Sequence, residues 1–286
     1  MYPELMKLGP LTIHSYGFFI ALGFTFGILV ALWRGKKFGV DSGTILDMAI
    51  YIIISAIVGS RIFYVIVSYK DYIRDPIRIF YIHQGGLVFY GGLIGVLITT
   101  AYYIKANKLD YFKTADMIIP ALPVGHFFGR MGCFLNGCCY GAHTACFTGI
   151  VFPNFRGDTI PRHPTQLYEA FACLFFFFVL LIIEKKIAKW KGALFVTYIY
   201  LYSFWRFMIE FVRDDNRGEF LFGFSPSQNT SLIGLAFATC LMIYVIKKSG
   251  ANAAAAGNNA AYAPEAVIGV ENNENPAKKN ENSDVK

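Results

Sequence analysis

The sequence predicts an all-α polytopic membrane protein. It has about seven transmembrane helices, the N-terminus outside, the C-terminus cytoplasmic and the fourth helix short and broken. Three observations carry that prediction. Of 286 residues, 55% are hydrophobic and only 16% charged, against about a quarter charged in an average soluble domain. Mean hydropathy is +0.45. The apolar residues fall into runs close to the length of about 20 that a helix needs to cross a bilayer. A chain so poor in charge cannot cover a globule of its size with a water-facing shell. That excludes a cytosolic enzyme, a disordered chain and a secreted disulfide-rich mini-domain.

The runs, in order, are 16–33, 45–67, 87–104, 114–128, 165–183, 193–212 and 230–246. Before the first run stand Glu4 and two prolines and no basic stretch, so it reads as a retained span rather than a cleaved leader. The fourth run starts beside Asp116 and contains Pro120 and Pro123. Each proline removes a backbone donor. Irregular backbone at membrane depth survives only when buried in protein or facing a cavity. Residues 1–250 therefore read as a transmembrane catalytic unit. Residues 251–286, rich in Ala, Asn and Glu without hydrophobic periodicity, read as a disordered cytoplasmic tail. Small-residue pairs at Gly23/Gly27, Ser55/Gly59 and Gly91/Gly95 predict close helix contacts.

Orientation follows from the connections. One alternate set holds Arg34, Lys36, Lys37, Lys105, Lys108, Lys113, Lys185, Lys186, Lys189, Lys191, Lys247 and Lys248. The other holds Lys7, Lys70, Arg74, Arg78, Arg130, Arg156, Arg162, Arg213 and Arg217. The first is Lys-rich and larger, so it reads as cytoplasmic. The second is mostly Arg, and a planar two-pronged guanidinium grips phosphate better than an ammonium does. The net charge of +7 is uneven: the tail has three Lys against five acids, leaving +9 on the body. Such a body suits anionic lipid or an anionic substrate, with loop topology charges explaining part of the excess.

Charge inside the runs is the sharper signal. A charged side chain near mid-bilayer costs at least about 2.5–3.5 kcal/mol, so each is a site candidate. Arg61 lies deep in the second run, and Arg206 and Glu210 lie in the sixth. At 100° per residue, Tyr202, Arg206, Glu210 and Arg213 share one helix face. A self-cancelling Arg206–Glu210 pair at i,i+4 is the plain alternative, but it leaves Arg61 and Arg213 unexplained. An anion pocket open to the outer leaflet explains all four.

Three further motifs stand out. The first is Gly129-Arg130-Met131-Gly132-Cys133-Phe134-Leu135-Asn136-Gly137-Cys138-Cys139-Tyr140-Gly141, which places Arg130 directly after the broken helix, at a membrane–water boundary. The second is Arg162-His163-Pro164-Thr165-Gln166-Leu167-Tyr168-Glu169-Ala170, leading into the fifth run. The third is Gly85-Gly86-Leu87-Val88-Phe89-Tyr90-Gly91-Gly92-Leu93 at the mouth of the third. Cys133, Cys138, Cys139 and Cys146 have spacing C-x4-C-C-x6-C, unlike a zinc finger. They read as packing residues, an extracytoplasmic disulfide, or a metal or thiol site. His126 reads as a helix-end packing residue.

On these motifs the chain resembles the prolipoprotein diacylglyceryl transferase family over about residues 10–245. The resemblance implies transfer of the diacylglyceryl group of phosphatidylglycerol to a lipobox cysteine of a prolipoprotein, giving a thioether and glycerol phosphate. It implies the bacterial cytoplasmic (inner) membrane, contact with membrane lipid, no nucleic acid, no metal and no cofactor. Arg130 and Arg206 match the family's essential arginines, and Tyr16 matches the tyrosine of its first span. Tyr202 and Glu210 match the sixth-span pair, and Asn136, Gly137 and Gly141 match its signature loop. The expected roles are Arg130 and Arg206 clamping the phosphate and Glu210 holding Arg206. Arg61 and Arg213 would supply supporting charge, and Tyr16, Tyr90 and Tyr202 would orient or deprotonate.

Three positions depart from the family pattern. Tyr90 stands where a His precedes Gly-Gly-Leu, Cys133 replaces an Asn, and Cys138 replaces a Glu. They point to a divergent, cysteine-rich subfamily and leave the thiol-activating base open between Tyr90 and His83. The alternatives are a related lipid-using transferase with another acceptor, a non-catalytic lipid-binding protein and an anion transporter.

Overall fold

The computed structural model describes residues 1–9, 11–73, 75–81, 85–152, 159–214 and 223–256. Arg74, His83, Arg156, Arg217 and residues 257–286 lie outside the described residues. The described chain is mostly helical. It opens with a feature the hydropathy pattern did not flag, a hairpin of β1 (Glu4–Leu8) and β2 (Leu11–His14). Gly9, at φ +60°, supplies the left-handed turn residue between them. The Ser15 hydroxyl donates to the Tyr2 carbonyl and ties the hairpin to the first helix.

The helices are α1 (Ser15–Phe38), α2 (Ser42–Val67), α3 (Tyr69–Ile73), α4 (Phe89–Ala106), α5 (Tyr111–Ile118), α6 (Ala121–Asn136), α7 (Thr165–Ile187), α8 (Ala193–Ile209) and α9 (Pro226–Ala256). Five segments have the length and apolarity of a spanning helix: α1, α2, the α5–α6 pair, α7, and Pro226–Ser249 of α9. The remaining long helices, α4 and α8, have 18 and 17 residues. Short polar caps start two of them. The Asp41 carboxylate accepts from Thr44 N–H at 3.1 Å to begin α2, and Asp110 accepts from Lys113 N–H at 2.9 Å to begin α5. Helix α9 continues past residue 250 to Ala256.

The fourth span is broken, but it is not short. The chain breaks at Ile119–Pro120, between α5 and α6, and the pair runs from Tyr111 to Asn136. Residues 129–136, read above as lying beyond the helix, form its last turns. Glycine normally weakens a helix; here Gly132 lets α6 pack onto Tyr16 and Phe19 of α1, where a methyl group would sit 3.0 Å from Phe19 Cβ. Tertiary packing thus outweighs low propensity. Gly137 ends the helix in the left-handed region at φ +73°.

The small-residue pairs do mark contacts. A Cβ on Gly59 would lie 2.5 Å from the Gly91 carbonyl oxygen, so α2 and α4 touch backbone to backbone. Gly23 of α1 meets Gly125 of α6 in the same manner. Ile119, Phe176, Leu180, Leu194 and Tyr198 form the core among α6, α7 and α8.

Polar contacts gather the Lys-rich helix ends. Arg34, buried in the last turns of α1, pairs with Glu184 of α7 at 2.8 Å and donates to the Met117 and Asp116 carbonyls. Lys37 also pairs with Glu184, at 2.8 Å. The Asp116 carboxylate accepts from Gly192 and Phe195 N–H at 2.6 and 2.9 Å, satisfying orphan donors at the start of α8. One end of the bundle is therefore fastened by structural ion pairs. The site lies at the other end of α7, about 22 Å away by the rise of fifteen residues from Glu169 to Glu184.

Candidate functional site

At that end, Arg130 of α6, Arg206 of α8, and Glu210 and Arg213 just beyond α8 gather around one carboxylate of α7. Glu169, one turn into α7, is only 2% exposed. Its oxygens lie 2.5 Å from Arg130 Nε, 3.4 Å from Arg206 Nη1 and 3.2 Å from Arg213 Nη1. Glu210, in the 3₁₀ turn Glu210–Val212 that follows α8, lies 2.7 Å from Arg206 Nη2 and 3.9 Å from Arg213 Nε. The Ser225 hydroxyl donates to Glu210 at 2.8 Å, and Arg206 donates to Ser227 at 2.8 Å. Among the described residues, three guanidinium groups meet two carboxylates in a place nearly closed to water. Buried ion networks of this kind are held together by their partners, and removing one leaves uncompensated charge.

Hydrogen-bond counting separates the arginines. A guanidinium has five N–H donors. In Arg61 all five point at carbonyl oxygens: Ile79 (2.8 Å), Gly85 (2.7 Å), Gly86 (3.2 Å), Arg78 (2.6 Å) and Tyr81 (3.4 Å). Its charge also lies over the rings of Tyr64 and Tyr72. Arg61 is thereby a clamp on its own chain's loop, and it has no donor left for a ligand. The expectation that it supports substrate charge draws no support from this arrangement. Arg130 is the opposite case. Its Nε serves Glu169 and His126, and among the described residues its two Nη groups have no hydrogen-bond partner. Those Nη groups form the open fork.

The remaining expected residues divide in the same way. Tyr202 packs against His126, ring centroids 5.2 Å apart, inside the cluster. His126 itself accepts from Arg130 Nε at 3.3 Å, so it belongs to the site rather than to helix-end packing. Tyr16 lies across α6 from Gly132, near the Cys133, Cys138 and Cys139 sulfurs and Arg130. Asn136 lies beside the Cys138 sulfur. Tyr90, at the start of α4, is 54% exposed with its ring edge-on to Phe89, and the structure does not bring it to the arginines.

Gly141 and Gly137 shape the loop. Gly141 forms an antiparallel bridge with Arg213, and a Cβ there would lie 2.5 Å from the Val212 oxygen and 2.8 Å from Thr165 Cγ2. The glycine thereby fixes where Arg213 starts. Gly141→Ala should lower stability by about 1–3 kcal/mol through overpacking, read as a lower thermal midpoint in detergent; an unchanged midpoint would contradict this packing. Beside it, the Cys133 and Cys138 thiols and the Arg213 and Arg130 charges hold the Cys139 thiol far below the usual thiol range.

Glu169 is the residue that sequence reasoning missed. It was visible only as one member of the Arg162–Ala170 stretch, near a span end where acids are common. The available signal was a carboxylate one turn inside an apolar run that had unpaired arginines elsewhere to match.

Fold and site together define a class: a polytopic helical membrane protein with a buried cluster of arginines and glutamates at one end of its bundle. The sequence model of the family described as prolipoprotein diacylglyceryl transferase matches residues 3–244. A phosphatidylglycerol–prolipoprotein diacylglyceryl transferase from Clostridium tetani is 38% identical over 220 residues, 76% of this chain and 88% of the relative. A protein of the same description from Vibrio atlanticus is 35% identical over 254 residues, covering 86% and 91%. A third, from Clostridium perfringens, is 37% identical over 211 residues, covering 73% and 82%. The chain belongs to the prolipoprotein diacylglyceryl transferase family.

Proposed function

We propose that this chain transfers the diacylglyceryl group of phosphatidylglycerol to the lipobox cysteine of a prolipoprotein. The thiol gives up its proton to water, its sulfur forms a bond to the glyceryl carbon, and the carbon–oxygen bond to phosphate breaks. Its electron pair leaves on glycerol phosphate. The observation that carries this reading is the gathering of Arg130, Arg206 and Arg213 around Glu169, with the Arg130 Nη groups without a partner among the described residues. A phosphodiester is an anion that such a guanidinium fork can grip with two parallel hydrogen bonds. As the bond breaks, charge grows on the phosphate oxygens, and fixed donors in a low-dielectric site stabilise it more than they stabilise the ground state.

In this reading Arg130 and Arg206 bind the phosphate. Arg213 and Glu210 position them, and Tyr202 and Tyr16 line the approach. Gly137 and Gly141 set the loop, and Asn136 flanks Cys138. Tyr90, on the exposed mouth of α4, meets the acceptor side. Tyr90→Phe tests whether its hydroxyl handles the thiol proton: a loss of about 10²-fold, the lower range for such a group, would assign it that role, and unchanged turnover would show that its hydroxyl is not used.

We place the body in the bacterial inner membrane with seven crossings, counting α4 and α8. Seventeen residues rise about 26 Å, close to the ~30 Å hydrocarbon core. The gathered Lys-rich ends then lie in the cytoplasm and the arginine cluster toward the outer leaflet. The test is phosphatidylglycerol in detergent with a lipobox peptide. A mass gain on the peptide cysteine, matched by glycerol phosphate release, supports the reading. Lipid consumption without that gain points to another acceptor.

A further inference from the structure

We propose that Cys133, Cys138 and Cys139 bind one zinc ion and that the ion takes the acceptor thiol as its fourth ligand. The second half of this proposal rests on the transferase reading above. The three Sγ atoms all lie within 4.8 Å of one another. Zinc–sulfur bonds of about 2.3 Å in tetrahedral geometry need sulfurs about 3.8 Å apart, a closure that small side-chain rotations supply. None of the six cysteines is in a disulfide, and a disulfide would join two of the three sulfurs and strand the third. Thiolate sulfur is the ligand type that selects zinc over magnesium or calcium.

The surroundings are built to hold the three in place. Cys139 sits at φ +64°, a conformation disfavoured for a non-glycine residue. Buried side chains fix the adjoining backbone: Gln166 Nε2 donates to the Cys138 carbonyl at 2.7 Å and Thr165 Oγ1 to the Cys139 carbonyl at 2.7 Å. Cys138 N–H bonds to the Cys133 carbonyl at 3.2 Å. Strain kept by its surroundings marks functional positions more often than packing ones.

Position gives the site its use. Cys133 is three residues from Arg130 on α6, and Thr165, which holds the Cys139 carbonyl, is four residues from Glu169 on α7, so the sulfurs lie about one turn from the arginine cluster. Three thiolates with a divalent cation carry one net negative charge, opposite in sign to the guanidinium groups beside them. Three protein ligands leave one position open, as catalytic zinc sites do. A thiol bound there is deprotonated outright. That chemistry matches what the chain is short of, since Tyr90 stands outside the cluster and His126 already accepts from Arg130. In the step, the acceptor thiol gives its proton to solvent on binding the metal. The metal-held sulfur then attacks the glyceryl carbon as the carbon–oxygen bond breaks. Glycerol phosphate takes the electron pair, and the neutral thioether, a poor ligand, departs.

The test is elemental analysis of the full chain purified in detergent from zinc-supplemented cells, with thiol titration and the transfer assay alongside. We expect about one zinc per chain, and none in the C133S/C138S/C139S variant. Cobalt(II) in place of zinc should give the sulfur-to-metal charge-transfer absorption of a thiolate site. Stripping the metal with a chelator should lower transfer roughly 30-fold, the ratio of a fully ionised thiol to a free one of pKa about 8.5 at pH 7. Added zinc should restore it, while phosphatidylglycerol still stabilises the stripped chain. A metal-free chain with full transfer overturns the proposal, as does a disulfide among the three. If the zinc-loaded chain transfers nothing, the transferase reading and the thiol-activation half fall together, and the metal count still decides the site.

Discussion

Glu169→Gln should lose both transfer and stability. The wild-type carboxylate is 2% exposed and contacts Arg130, Arg206 and Arg213 at 2.5, 3.4 and 3.2 Å. The amide keeps the shape but removes the charge, leaving three buried guanidinium groups with Glu210 as their carboxylate. Breaking a buried ion network by removing one partner costs about 3–5 kcal/mol, because the charges left behind are uncompensated. The Arg130 fork also loses the group that aims it, and a misplacement near 1 Å costs about 10²-fold in rate. The expected result is a clearly lowered thermal midpoint in detergent together with at least about a 10²-fold slower transfer. A variant with wild-type midpoint and turnover would show that Glu169 organises nothing.

Arg206→Ala should remove transfer while leaving the chain in the membrane. Arg206 bridges Glu169, Glu210 and Ser227, and three of its five donors are accounted for by those contacts. In the proposed reading the other two serve the leaving phosphate. Deleting one preorganised donor of this kind costs about 2.7–4 kcal/mol, or 10²–10³ in rate. Arg61→Ala is the informative contrast. Its donors hold the loop carbonyls of residues 78–86, so its loss should act through loop stability. Near-normal turnover of Arg206→Ala would rule out the clamp.

Much of the fold was legible because hydrophobic run length is a long-range signal that a single sequence preserves. The broken fourth helix was visible in Pro120, but its extension to Asn136 was hidden. Gly129 and Gly132 look like breakers until α1 is seen packed against them. The hairpin at Glu4–Leu8 and Leu11–His14 was invisible to a reading tuned to spans. In the site, Arg206 and Glu210 were legible from their i,i+4 spacing. Glu169 was not, because its partners lie 37 to 44 positions away along the chain. The loop contacts of Arg61 were hidden for a related reason. Its partners are backbone carbonyls, which leave no mark in a sequence. His126 looked like a lone packing histidine because its meaning depends on Arg130 one turn along and Tyr202 across the bundle.

The central claim is that buried guanidinium groups around Glu169 grip an anionic headgroup. Its most direct measurement is the thermal midpoint of the purified chain and of Arg206→Ala in detergent, with phosphatidylglycerol or phosphatidylethanolamine added. The wild type should be stabilised by phosphatidylglycerol well above phosphatidylethanolamine, and the variant should lose that difference. Equal stabilisation of both chains by phosphatidylglycerol would place the headgroup elsewhere and contradict the claim.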